Sequence, residues 1–221
     1  MNGLRRAWGG PDHDRGQAMV EFAIVVPVFL LILVGILEFG FLMNHDLTIQ
    51  YATREGARAG AALDSGNGTN SACVDASGNP TPLTASDVDP LIIAAVQRVL
   101  KSPGSLVNMS NITQVVIYKA DASGKDTGTH NIWSYTPGTG PAVPCQASPP
   151  KLDFSQTSVG WTASGRNNVT PDHLGISITY NYQFSTPLGA IMNLAAHSTG
   201  PAASGFTITD STIMALEPTA N

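Results

Sequence analysis

Few residues in this chain are spaced for chemistry, and the clearest group stands at the edge of an apolar run. Arg15 to Phe22 reads RGQAMVEF, so Gly16 is followed by four uncharged residues and then Glu21, immediately before the uncharged stretch Phe22 to Leu37. A carboxylate costs about 2 to 3 kcal/mol at the centre of a membrane helix, so Glu21 calls for the headgroup interface or a cationic partner. Cys73 and Cys145 either pair or remain two buried thiols, and alone they cannot make a four-cysteine zinc site. The histidines, His13, His45, His130, His173 and His197, show no HExxH or other paired metal spacing. No GxSxG, Walker A or GxGxxG sequence occurs. Asp121, Ser123 and Asp126 sit on a turn that could hold calcium, yet Lys125 falls where such a loop would offer oxygen. His45-Asp46 reads as a solvated helical turn, with pH sensing as the sharper alternative. Asn67, Asn108, Asn111 and Asn168 open N-x-S/T sequons, which matter only in a eukaryotic secretory pathway. Neither a catalytic residue nor a metal or cofactor is expected, and the chain does not read as an enzyme.

The elements that position Glu21 begin with a membrane span. Phe22 to Met43 interrupts its apolar character only at Glu38, and as a helix it would be about 33 Å long, enough to cross a bilayer. The run is longer than the apolar core of a cleaved secretory signal, which favours a retained anchor. Arg5, Arg6 and Arg15 precede it, which places the N-terminus in the cytoplasm and residues 44 to 221 outside. Glu38 lies about 25 Å along the axis from Glu21, near the opposite interface, either solvated among headgroups or packed against another component. Pro27 removes one helical hydrogen bond within the span and bends it. Beyond the membrane, Ile49, Ala52, Gly56, Ala59 and Leu63 recur at helical spacing, and Gly56 with Gly60 makes a small-xxx-small pair that lets a helix or sheet approach closely.

Of the 221 residues, 43% are hydrophobic but only 12% are charged, about half the charged share of an ordinary soluble domain. The net charge of -5 offers no basic excess for nucleic acid. After a Gly/Asn/Ser-rich loop from Asp64 to Thr84, a second helix is expected with Asp89 as its cap, Pro90 in its first turn and Ser102-Pro103-Gly104 as its stop. Asn111 to Ala120 has the β-branched content of a strand. Asp121 to Pro171 reads as a long irregular excursion tied down by Cys145, with edge strands at most. Ile176, Ile178, Tyr180, Tyr182 and Phe184 alternate with polar residues in a half-buried strand. In a last strand, Phe206 to Leu216, Asp210 interrupts the apolar face and suggests a bulge or an edge. The expected class is α+β: a long N-terminal transmembrane helix continuing into an outer domain with a second helix and an antiparallel sheet.

RGQAMVEF resembles the processing site of type IV prepilins of the Flp/Tad branch, whose pattern is Gly, four residues, Glu, then Tyr or Phe. ILEFGFLMN (36–44) and YATREGARAGA (51–61) are similar to the TadE-like pseudopilin family. ITYNYQFSTPLG and FTITDSTIMALEP resemble its closing strands. The resemblance implies chemistry done to the chain. A membrane-embedded prepilin peptidase would cut between Gly16 and Gln17, where the absence of a side chain admits the scissile bond to a tight site, and release a leader, residues 1–16. Residues 17–63 would then be the transmembrane and extended helix, and 64–221 the extracytoplasmic α+β domain. Glu21, next to Phe22, would pair with the terminal ammonium of a neighbouring subunit, and Glu38 would serve assembly. Gln17 replaces the Phe or Met usual in other type IV pilins. The implied partners are the peptidase, other pilins or pseudopilins, Tad assembly components and the lipid bilayer of a bacterial cytoplasmic membrane. The alternative is an uncleaved single-pass protein whose outer domain binds a surface ligand.

Overall fold

The computed structural model describes residues 12–63, 65–66, 73–75, 77–166, 170–195 and 205–216. In chain order the elements are α1 (Asp12–Leu63), α2 (Ala85–Leu100), β1 (Ile112–Ala120), β2 (Asp126–Tyr135), β3 (Phe154–Ser158), β4 (His173–Gln183), α3 (Leu188–Ala195) and β5 (Gly205–Ala215). They divide into two compact units, Met1–Gly40 with Phe184–Ser204, and Phe41–Gln183 with Gly205–Asn221. The class is α+β, with a long N-terminal helix, a second helix and a five-stranded antiparallel sheet. Most of the expected leader, residues 1–11, lies outside the described residues, as do Asn67 and Asn168.

In the first unit α1 is helical through Pro27, and its most apolar 18-residue window has a mean hydropathy of 2.9 with none of it buried. A soluble core helix would bury one stripe; here Phe22, Ile24, Val28, Phe29, Ile32 and Ile36 are all exposed. The exception is Glu38, buried to 4% exposure. Its two carboxylate oxygens accept the backbone N–H groups of Ser185 (3.0 Å) and Thr186 (2.9 Å). Thr186 Oγ1 in turn accepts the Leu188 N–H at 3.3 Å, satisfying one of the donors that the start of α3 leaves open.

The second unit is built on the sheet, in the order β3-β2-β1-β4-β5. β4 alternates as its sequence requires: Leu174, Ile176, Ile178, Tyr180 and Tyr182 are buried, while Asn181 and Gln183 are exposed. Against that face lies the later part of α1, with His45, Ile49, Ala52, Thr53, Gly56, Ala57, Gly60 and Ala61 buried. Ala59 and Leu63 are only half-buried, and Ala57 and Ala61 take the inward positions instead. The stripe read from the sequence drifts around the helix, whereas the true contact face follows the 3.6-residue turn. A Cβ on Gly56 would stand 2.6 Å from Val96 Cγ2, and one on Gly60 2.8 Å from Leu174 Cδ2 and 3.1 Å from Ile92 Cδ1. These two glycines let α1 approach α2 and β4 together.

Several expectations are corrected. The cap of α2 is Thr84, five residues before the expected Asp89, in a capping box with Asp87. Asp89 is instead a buried side chain within the helix, and Pro90 lies inside it. The 121–171 segment is not merely irregular. Its β2 is an inner strand between β1 and β3, and β3 forms an edge. The sequence hides this pattern because DTGTHNIWSY is polar, and Asn131 and Trp133 are its only fully buried residues. β5 has no bulge: its register with β4 is unbroken from Gly205 to Ala215. It is an edge strand, and Asp210 interrupts its apolar face because its carboxylate accepts the hydroxyl of the buried Thr53 on α1.

The two DASG sequences build the same turn. Asp75 accepts the N–H groups of Ser77 (2.8 Å) and Asn79 (2.9 Å), and Asp121 those of Ser123 (2.8 Å) and Lys125 (2.9 Å). Gly78 and Gly124 close the turns at φ +83° and +87°, where glycine is free of the Cβ penalty. Bonds from Asn79 to the first, and from Ser123 and Lys125 to the second, hold both carboxyls below their ordinary value. Asp121 Oδ1 thus closes its own turn.

Cys73 and Cys145 are joined by a disulfide that closes a separation of 72 residues. Nearby in the chain, Asp153 forms an ion pair with Lys101 and accepts the Gly138 N–H at 2.8 Å. Burial pushes its carboxyl up, but those hydrogen bonds and the Lys101 charge outweigh burial and hold it below its ordinary 3.8. A carboxyl depressed in the folded state adds stability above its unfolded pKa and loses it as the pH falls through the folded one. Unfolding followed by tryptophan fluorescence should therefore show stability declining below about pH 4. Asp153→Asn should lower the midpoint at neutral pH and make the decline on acidification shallower.

Candidate functional site

The Gly16–Phe22 segment lies on the exposed first turns of α1. Gln17 Nε2 donates to Glu21 Oε1 at 2.9 Å, an i,i+4 bond on the helix surface. Met19, Val20 and Phe22 are 74%, 61% and 69% exposed, so no other described part of the chain covers this stretch. A Cβ built on Gly16 would meet nothing within 4 Å. Glycine at this position is therefore not required by the chain's own packing, in contrast to Gly56 and Gly60. Ala would even favour the helix there by roughly 1 kcal/mol. Chemically the segment offers a peptide bond flanked by an unhindered residue, and a carboxylate whose hydrogen bond within the chain is to a neutral amide.

The other sequence candidates fall elsewhere. Glu38 is not a solvated headgroup residue: both oxygens are committed to the 185–186 backbone of the same unit. Ile49, Ala52, Gly56 and Gly60 lie in the helix–sheet interface of the second unit, with Ala59 and Leu63 at its border. His45 is 5% exposed, not a solvated turn. Its Nδ1 is 3.0 Å from the Phe41 carbonyl and its Nε2 2.7 Å from the Leu106 carbonyl, and its ring stacks on Tyr180 and meets Tyr182 edge-on. A neutral imidazole donates to only one of these carbonyls at a time.

A buried polar network escapes the sequence reading. Asp89 Oδ1 pairs with Arg166 Nη2 at 2.5 Å, and Asp89 Oδ2 accepts Asn131 Nδ2 at 2.6 Å. Asn131 also bonds the backbone of Gly160 and Trp161, and the Arg166 guanidinium lies 4.8 Å from the Trp161 ring centroid. The network ties α2, β2 and the 160–166 loop together. Its only trace in the sequence is a carboxylate beside Pro90 among apolar residues. Among the described residues no group of three or more His, Cys, Asp or Glu side chains is placed to hold a metal ion.

One comparison with known proteins finds a match, and it lies on the first helix. Residues 16–58 match the family model described as TadE-like protein. The match starts at Gly16 and ends at Arg58, five residues before the end of α1. No curated protein and no solved structure matches the chain.

Proposed function

We propose that this chain, a TadE-like protein by the match over its first helix, is a pseudopilin or minor pilin in the assembly of a Flp-type (Tad) pilus or related secretion apparatus. A prepilin peptidase removes residues 1–16, and the mature chain begins at Gln17. α1 then anchors the subunit in the bacterial cytoplasmic membrane, N-terminus inside and the sheet-bearing unit outside, where Cys73 and Cys145 meet an oxidising compartment. The observation that carries the reading is the Gly16–Glu21 segment, exposed at the start of an apolar run whose most apolar stretch has no buried residue, with a glycine that the fold itself does not need.

Cleavage exposes an ammonium on Gln17 and leaves Glu21 four residues away. On assembly, the Glu21 carboxylate of one subunit receives the Gln17 ammonium of a neighbour. In an apolar surround that pair is satisfied in one helical register and costly in others, so charge matching selects register during assembly. Phe22 packs beside it against the neighbouring helix. The partners are the peptidase, other pilins or pseudopilins and Tad assembly components.

The test is the N-terminus. Co-expression with a cognate prepilin peptidase should yield a chain that begins at Gln17 by N-terminal sequencing or intact mass. A chain that keeps Met1 in cells assembling the pilus would overturn the reading and leave an uncleaved single-pass protein.

A further inference from the structure

We infer that α3 is seated in the membrane: Leu188–Ala195 lies in the outer leaflet of the bilayer that α1 crosses, held there by Glu38. The inference rests on α1 being a membrane span. Glu38 lies seventeen residues after Glu21, or about 25 Å along the helix, while the hydrocarbon core is about 30 Å thick. With Glu21 at the inner lip, Glu38 falls just inside the outer edge of the hydrocarbon. Its neighbours support that depth: Ile36, Leu37 and Phe39 are 68%, 50% and 61% exposed, an apolar surface suited to acyl chains. Glu38 is the one buried residue of this turn.

A carboxylate at that level is costly unless its oxygens are satisfied. The groups that satisfy them are the amides of Ser185 and Thr186, so this stretch of chain sits at the depth of Glu38. Pro187 follows, and then α3, whose sequence LGAIMNLA carries no charge. No Asp, Glu, Lys or Arg occurs between Asp172 and Asp210. Ile191, on the second turn of α3, is 42% exposed, and at this level it meets acyl chains instead of water. Eight residues make a helix of about 12 Å, far short of a span, so α3 rests in the boundary between headgroups and acyl chains. Such a seat resists rotation of α1 about its own axis.

The experiment uses the full chain in phosphatidylcholine/phosphatidylglycerol vesicles, with Cys73 and Cys145 oxidised and a nitrobenzoxadiazole label on one introduced cysteine. Ile191→Cys reports on α3, Leu33→Cys on the span, and Gln156→Cys, on an exposed part of β3, on the aqueous side. Lipids spin-labelled near the headgroup should quench most of the fluorescence at 191 and little at 156, at every protein-to-lipid ratio. Adding Glu38→Ala should bring quenching at 191 down toward the level at 156 while leaving 33 unchanged. Quenching at 191 no greater than at 156, with 33 quenched by deep spin labels, overturns the seat alone. A label at 191 that is shielded only at high protein density overturns it in favour of a second copy of the chain. Absence of quenching at 33 overturns the membrane reading of α1 itself.

Discussion

If the proposed cut between Gly16 and Gln17 is made, Gly16→Ala is expected to leave the protein folded and to slow removal of residues 1–16 about 5- to 150-fold. The structural half of this expectation follows from the empty space around Gly16, where a methyl group would meet no atom within 4 Å. Ala also raises helix propensity by roughly 1 kcal/mol relative to Gly, so the substituted α1 should be at least as stable. The processing half follows from the proposed cleavage, in which a peptidase site would close tightly around a residue with no side chain. Forcing one methyl into a packed site costs about 1 to 3 kcal/mol, and each 1.36 kcal/mol in the barrier is a factor of ten in rate. Cleavage time courses with purified peptidase, set beside circular dichroism of the same variant, separate the two halves. Cleavage at the normal rate would remove the reason for glycine at position 16.

The largest stability effect is expected at Asp89. Its carboxylate is the ion-pair partner of Arg166, whose side chain is 0% exposed and whose Nε and Nη1 have no hydrogen-bond partner among the described residues. Removing one member of a buried pair leaves an uncompensated charge, and Asp89→Ala should cost about 3 to 5 kcal/mol, a large part of the total stability of a typical domain. Asp89→Ala/Arg166→Met should recover much of that loss, because the double variant leaves no buried charge. Denaturant titration of the full chain in detergent, followed by tryptophan emission, reads the effect directly, since Trp161 lies against Arg166. A single-variant cost below about 1 kcal/mol, the range of exposed ion pairs, would mean that the pair is open to water.

These two residues also divide what is legible in the sequence from what is not. Gly16 and Glu21 stand out in the sequence because their signal is local: a fixed spacing beside an apolar run, independent of the rest of the fold. The class is legible for a similar reason, since the periodicities of α1, α2 and β4 are written along single segments. Asp89 reads wrongly as a cap because an Asp before a Pro at the head of an apolar run has the local form of one. Its actual partners, Asn131 and Arg166, are 42 and 77 residues away. β2 is hidden for the same reason. A polar strand is held in a sheet by ladder bonds to neighbours on both sides and by one buried Asn, and none of these shows as hydrophobic alternation.

Composition and short-range pattern thus determined the long apolar helix, the α+β class, the second helix, the best strand and the processing-site resemblance. Each depends on residues within about two helical turns of one another, where covalent geometry dictates which side chains share a face. Tertiary structure alone decided that Glu38 closes on the amides of Ser185 and Thr186, that His45 is enclosed by two carbonyls and two tyrosines, that Asp210 answers Thr53, and that Asp89 faces Arg166. In each case a polar group leaves water and must find its complement, and the complement is supplied by a segment that only the folded chain brings near.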